Sequence, residues 1–168
     1  MLRGQDIVIA IKLYVTPQED WTYEALATSL HLSTSVCHAS LQRLRQVGLV
    51  APDKFKANTV PLLECLVHAV KYFFPAEAGR LTRGIATSYG APPLRNHLLI
   101  GDAPPPVWPH SSGPERGQEL QPLHKCVPRA VATDDQLREV LALVDAIRSG
   151  RARERSLAIQ FLEKRLRG

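Results

Sequence analysis

Residues 25–50 read ALATSLHLSTSVCHASLQRLRQVGLV, and their spacing predicts two short helices joined by a tight turn. The apolar positions that recur at helical spacing are Leu26, Ala27 and Leu30 in the first helix and Cys37, Leu41 and Leu44 in the second. Each helix therefore has one face to bury against its neighbour. Two helices joined in this way can place the second helix in the major groove of DNA.

The ends of the second helix carry recognisable signals. Ser33 is a favourable N-cap, because its hydroxyl can accept a hydrogen bond from an unpaired backbone N–H near Ser35 or Val36. Leu32 precedes it and can fill the gap between the two helices. Gly48 lies just past the helix end, where a left-handed backbone conformation is cheap for glycine.

Polar and cationic residues fall largely off the buried stripe of the second helix. Short polar groups at its start suit base edges, and cations further along suit phosphates. A short wing is expected from Gly48 to Asn58, with Leu49-Val50 and Phe55-Lys56 as strands around Pro52-Asp53; an ordinary solvated loop remains the alternative. The candidate DNA-binding residues are Thr34, Ser35, His38, Gln42, Arg43 and Arg45 on the helix and Lys54 and Lys56 on the wing.

This stretch resembles the winged helix-turn-helix of bacterial transcription regulators, broadly of the MarR and GntR families. The resemblance covers roughly residues 5–60 and implies a DNA-binding domain with a recognition helix and a wing. It departs from the usual pattern at His31, where glycine is common in the turn, and at Cys37, where valine or isoleucine is common. The residues that carry it are Leu26-Ala27, Leu30, Leu32-Ser33, Ser35, His38-Ala39, Leu41, Leu44 and Gly48-Leu49-Val50.

Composition restricts the class of protein. The chain has 168 residues, of which 45% are hydrophobic, with a formal net charge of +5. No apolar run is long enough for a transmembrane helix, and the first residues do not resemble a secretory signal. The three cysteines are widely scattered, which argues against a disulfide framework and favours the cytoplasm. Residues 151–168 hold six Lys and Arg against two Asp and Glu, so the excess positive charge is concentrated there.

The predicted fold is mainly α, in three parts. Residues 1–74 form the winged helix-turn-helix, flanked by a first helix over 3–15 and a long core helix over 59–74. Residues 75–128 form a proline-rich extended segment that wraps the core. Residues 129–168 form two C-terminal helices, the first capped by Thr133 or Asp134.

The middle segment is unusual in composition. Ten of the thirteen prolines fall in it, yet it contains too much apolar surface to stay in water. A hairpin across residues 111–114 would pair 106–108 with 119–121. Tyr89 and Trp108 could build a ligand or partner site, and structural wrapping is the alternative.

Other chemistry finds little support in the sequence. No motif for serine hydrolysis, phosphate-loop binding or dinucleotide binding occurs, so we expect no catalytic residue, no cofactor and no enzyme activity. His110, His124 and Cys126 do not have a usual zinc spacing, so no metal is expected. Three arginines, Arg80, Arg83 and Arg95, could hold an anion or could be solvated side chains.

The sequence therefore predicts sequence-specific binding of double-stranded DNA and a role in transcription regulation. A homodimer is expected because one short recognition helix buries little surface, and the terminal helices are the candidate dimer elements. The alternative is a protein-interaction module, an adaptor or antitoxin-like partner, that binds through residues 75–168. In that case Trp108 and the basic last helix would form the contact surface.

Overall fold

A computed structural model describes residues 1–99 and 101–168, and it is mainly α. The helices pack around a hydrophobic core. Along the chain, a small three-stranded sheet follows the first five helices and precedes the last three. The helices are α1 (Gly4–Val15), α2 (Tyr23–Leu30), α3 (Thr34–Gln46), α4 (Thr59–His68), α5 (Val70–Phe73), α6 (Val127–Val131), α7 (Asp135–Ser149) and α8 (Ala152–Arg167).

Helices α2 and α3 form the predicted helix-turn-helix. The turn begins at His31, which has a left-handed conformation with φ of 54°. Ser33 caps α3 as expected, because its side chain accepts a hydrogen bond from the backbone N–H of Val36 at 3.2 Å. Gly48 also has the expected left-handed conformation, with φ of 81°. All six apolar residues assigned to the two buried faces are buried: Leu26, Ala27, Leu30, Cys37, Leu41 and Leu44.

The predicted strands of the wing do not form. One isolated bridge joins Val50 to Ala57, and a backbone hydrogen bond from Ala51 to Lys56 closes the segment. Residues 51–56, here called the wing loop, are otherwise irregular. Pro52 has no N–H to donate, and only six residues separate the two bridged positions, so the segment is too short for a longer ladder.

The predicted core helix over 59–74 is interrupted at Ala69. It divides into α4, which packs mainly against α8, and α5, which packs against α7. The interruption lets the two pieces differ in their main neighbour. His68, the last residue of α4, is exposed and takes no part in the core.

The sheet corrects the predicted hairpin. Its strands are β1 (Ala78–Ala86), β2 (Pro106–Pro109) and β3 (Glu115–Leu120). β1 is antiparallel to both of the others, so β2 and β3 run parallel and pair as Pro106 with Gln118 and Val107 with Glu119. A side chain at Gly84 would strike the carbonyl of Trp108, and one at Gly117 would strike that of Pro105. Glycine at these two positions lets three strands close on themselves.

Helix α7 lies at the centre of the molecule. Every residue from Val140 to Arg148 is buried, and α7 packs against α1, α4, α5, α6 and α8. Asp134 caps it by accepting a hydrogen bond from the N–H of Leu137 at 3.0 Å. Residues 140–148 of α7 are therefore covered by the rest of the chain, and the expected use of the terminal helices as dimer elements stays a prediction.

A buried polar cluster joins the sheet to α7, and we call it the Asp145 network. The carboxylate of Asp145 accepts hydrogen bonds from Thr87 Oγ1 at 2.8 Å, Trp108 Nε1 at 2.6 Å and Arg148 Nη1 at 2.7 Å. Arg148 also donates to the carbonyls of Phe74 and Gln121. Trp108 is only 1% exposed, so the hypothesis that it contacts a ligand or partner at the surface is wrong.

No helix within residues 1–99 and 101–168 combines the length and the apolar composition that crossing a bilayer requires.

Candidate nucleic-acid interface

Helix α3 presents one polar face to solvent. Thr34, Ser35, His38 and Gln42 are all exposed, and we call these four residues the α3 stripe. Their spacing places them within one arc of the helix, which adjoins the buried face of Cys37, Leu41 and Leu44. Helix α3 packs mainly against α1 and α2, and of the four residues His38 contacts α2, through the ring of Tyr23. The α3 stripe is therefore open to a partner from outside.

The cap of α3 keeps part of this stripe in place. Ser33 bonds the N–H of Val36 and lies 3.2 Å from the hydroxyl of Ser35. Thr34 and Ser35 occupy the first turn of α3, where four backbone N–H groups lack helical partners. Short hydroxyl side chains at this end are suited to hydrogen bonds with base edges or phosphates.

His38 belongs to an aromatic cluster that links α3 to α2 and the wing loop. The rings of His38 and Tyr23 are 4.9 Å apart between centroids, and those of Tyr23 and Phe55 are 5.0 Å apart in an edge-to-face arrangement. Arg45 lies over the ring of Phe55 at 5.6 Å. These contacts restrict the rotamers of His38 while its imidazole remains exposed.

Arg43 is engaged inside the protein. Its Nε and Nη2 donate to the two carboxylate oxygens of Asp6 at 2.8 and 2.9 Å, in a bidentate ion pair. Asp6 is fully buried and also accepts a hydrogen bond from the N–H of Arg3. The hydrogen bond to Asp6 raises the pKa of the Arg43 guanidinium above its usual value. Arg43 therefore joins α3 to α1, and its Nε and Nη2 are engaged within the protein, which sequence analysis did not predict.

Arg45 holds the wing loop against the helices. Its guanidinium donates to the carbonyl of Ala51 at 3.2 Å and to the hydroxyl of Tyr23 at 3.2 Å, with a weaker contact to the carbonyl of Lys54 at 3.5 Å. Arg45 is half-buried as a result. Like Arg43, it donates hydrogen bonds to acceptors within the protein.

Lys54 and Lys56 are exposed on the wing loop, as the prediction required. Neither forms an ion pair within the part of the chain that the structure describes, and Asp53 is the acidic residue next to them in sequence. Together with Trp21, Phe55 and Glu19 they line a cleft between the wing loop and the segment after α1. The cationic side chains free for phosphate contact beside α3 are thus lysines.

Other candidate chemistry receives no support from the geometry. Burial raises the pKa of Cys37 to about 11 and that of Cys126 to about 12, so both thiols stay protonated and unreactive at neutral pH. His124 accepts a hydrogen bond from the N–H of Cys126 at 3.1 Å, and burial lowers the pKa of its ring. Among residues 1–99 and 101–168, no group of three or more His, Cys, Asp or Glu side chains could hold a metal ion.

Sequence reasoning missed two features that the structure makes clear. The internal partners of Arg43 and Arg45 were not expected. Nor was the position of Arg83, which lies directly opposite Arg116 across the β1–β3 pair. A repeated Arg-Gly dipeptide, at residues 83–84 and 116–117, is the signal in the sequence that accompanies this pairing.

The chain was compared with protein-family models, with curated proteins and with solved structures. No protein-family model, no curated protein and no solved structure matches it.

Proposed function

We propose that this protein binds double-stranded DNA through α2 and α3, with α3 as the recognition helix in the major groove. The observation that carries the proposal is the exposed α3 stripe. It stands on a helix whose other faces are fixed by α1, α2 and the Arg43–Asp6 ion pair. A rigid helix with a free polar face meets the geometric requirement for direct readout of bases.

Within this proposal the residues have different roles. Gln42 is the candidate for bidentate contact with adenine, and His38 and the two hydroxyls before it add hydrogen bonds near the helix start. Lys54 and Lys56 contact phosphates from the wing loop, in the position of a wing. Arg43 and Arg45 do not touch DNA; they hold α3 and the wing loop in place.

A homodimer remains part of the proposal. Two copies related by a two-fold axis would read two half-sites, which multiplies an affinity that one short helix cannot provide. Transcription regulation is the biological role consistent with such a dimer. Sedimentation of the purified protein, alone and with DNA, measures the oligomeric state directly.

The test begins with selection of bound sequences from a pool of random duplexes, followed by fluorescence anisotropy on the enriched duplex and a scrambled one. We expect His38→Ala and Gln42→Ala each to weaken binding to the enriched duplex by about 1–3 kcal/mol while leaving binding to the scrambled duplex unchanged. Lys54→Gln with Lys56→Gln should weaken binding to both duplexes alike, because phosphate contacts carry no sequence information.

Gln160→Ala provides a matched control, because Gln160 is equally exposed but lies on α8. It should change neither binding curve. Failure of the selection to enrich any sequence would overturn the proposal. So would an enriched duplex that binds the Gln42→Ala variant as tightly as it binds the native protein.

Protein binding is the second candidate function, and one observation favours it. Tyr72 and Phe73 are 73% and 70% exposed on α5, beside an apolar pocket lined by Leu2, Val70 and Phe74. Adjacent exposed aromatics are typical of contact surfaces between proteins. Recovery of a second protein that is lost with Phe73→Ser, together with no binding to any duplex, would favour this candidate over DNA binding.

A further inference from the structure

The outer face of the β1–β3 pair carries two arginines side by side. In the register of the antiparallel pair, Arg83 lies opposite Arg116 and Leu81 lies opposite Gln118. All four side chains are exposed, whereas Thr82 and Gly117, the pair between them, are half-buried and buried. Alternation along the strands therefore places the exposed four on one surface, which we call the arginine face.

The fold does not neutralise the positive charge of the arginine face. Like charges directly opposite each other in a sheet are destabilising. Neither Arg83 nor Arg116 forms an ion pair with any residue in the described ranges. Glu115 is opposite Gly84, one position along from this pair, and its half-buried carboxylate lies 3.7 Å from Arg95. The two guanidinium groups are thus available to an anion from outside.

The chemistry of this pair suits phosphate. Each guanidinium presents a planar set of N–H donors that matches phosphate oxygens in a bidentate way. Residues directly opposite in an antiparallel pair have Cα atoms about 4.5–5.5 Å apart, so both side chains can reach one phosphate or two adjacent ones. Gln118 lies on the same surface, where its Nε2 makes a weak contact with the carbonyl of Gly79 at 3.5 Å.

DNA binding through α3 also requires cationic contacts that α3 itself does not supply. Much of the affinity of proteins for DNA comes from phosphate contacts. Arg43 and Arg45 are engaged within the protein, which leaves Lys54 and Lys56 near the α3 stripe. A second cationic surface would supply the remaining contacts.

We propose that the arginine face binds the sugar-phosphate backbone of nucleic acid through Arg83 and Arg116. This inference rests on the proposed function for its choice of nucleic acid over an acidic protein. The face contributes affinity without base preference, because it recognises phosphate alone.

The experiment measures binding of the full chain to a random DNA duplex at several salt concentrations. We expect Arg83→Gln with Arg116→Gln to weaken binding roughly tenfold or more and to lower the slope of log K against log salt by about 2, since each phosphate contact contributes about 0.9. The thermal unfolding midpoint should stay the same or rise slightly, because a repulsive pair is removed.

The matched control is Arg153→Gln with Arg167→Gln, which removes two exposed arginines from α8. It changes the net charge by the same amount and should leave the salt slope nearly unchanged. Equal effects of the two double variants would overturn the inference, because they would show that net charge alone matters. Competition by polyglutamate as effective as competition by DNA would also overturn it, in favour of an acidic protein.

Two further outcomes separate this inference from the proposed function. If the α3 variants lose base preference while the arginine-face variant binds normally, DNA binding through α3 stands and the inference fails. The same measurement with single-stranded RNA tests whether the inference can hold when DNA binding through α3 fails. Binding of RNA but not of duplex DNA, with loss in the arginine-face variant, would support the inference and overturn DNA binding through α3. Binding of neither would overturn both.

Discussion

The helix-turn-helix and the sheet-to-α7 contact treat polar side chains in opposite ways. In α3 the polar residues of the stripe lie on the surface, and their spacing follows the helix period. At the sheet, the side chains of the Asp145 network are buried and hydrogen-bonded to one another, and Thr87 lies 58 residues before Asp145. The first region leaves its polar groups exposed to solvent, and the second uses them to hold the fold together.

This difference separates substitutions into two classes. Changes in the α3 stripe should alter binding with little effect on stability, because exposed residues away from caps contribute little. Changes in the Asp145 network should alter stability strongly and affect binding only through unfolding.

Asp145→Ala should produce the largest loss of stability. It leaves the buried guanidinium of Arg148 without its carboxylate and the donors of Thr87 and Trp108 without an acceptor. We expect the free energy of unfolding to fall by about 3–5 kcal/mol, as measured by urea denaturation. Asp102→Ala, at an exposed loop position, serves as the control and should change it by less than about 0.5 kcal/mol. A loss below about 1 kcal/mol for Asp145→Ala would contradict the role assigned to the network.

Arg43→Ala tests the division inside the helix-turn-helix. Because it leaves the buried carboxylate of Asp6 without its ion pair, we expect a loss of about 2–4 kcal/mol in urea denaturation, with base preference unchanged. Adding Asp6→Asn removes the unpaired charge and should recover part of the loss. The opposite result, a native stability with altered base preference, would mean that Arg43 reads DNA after all.

His31→Gly should have the smallest effect on stability, and it should stabilise the protein. His31 has the left-handed conformation that costs a side-chain-bearing residue about 1 kcal/mol and costs glycine little. We expect the thermal midpoint to rise by an amount that corresponds to at most about 1 kcal/mol. Gly48→Ala is the reciprocal variant and should lower the midpoint, because its φ of 81° is also left-handed. A lower midpoint for His31→Gly would show that the imidazole itself holds the turn.

The local features of the fold could be predicted from the sequence because they depend on near neighbours. The N-cap at Ser33, the left-handed Gly48 and the buried face of α3 each follow from residues within one or two turns. The partners of polar groups could not be predicted in this way. Asp6 lies 37 residues before Arg43, and nothing in the periodicity of either helix indicates that they meet.

The sheet was missed for a related reason. Residues 106–109 and 115–120 have the composition of a hairpin, and a turn does connect them. The parallel pairing of β2 with β3 depends on β1, which lies 20 or more residues earlier. Because β1 pairs antiparallel with each of them, the two strands run in the same direction. Pairing partners that are distant in sequence leave no local trace in composition.

The burial of α7 has a consequence for how the chain is made. Helix α1 packs against α7, and Lys12 forms an ion pair with Asp134 across 122 residues. During synthesis the amino-terminal helices must therefore wait for residues 135–149 to leave the ribosome before they acquire their final neighbours. Until then the side of α1 that packs against α7 has no permanent cover, so a nascent chain stalled before α7 exposes apolar surface that chaperones can bind.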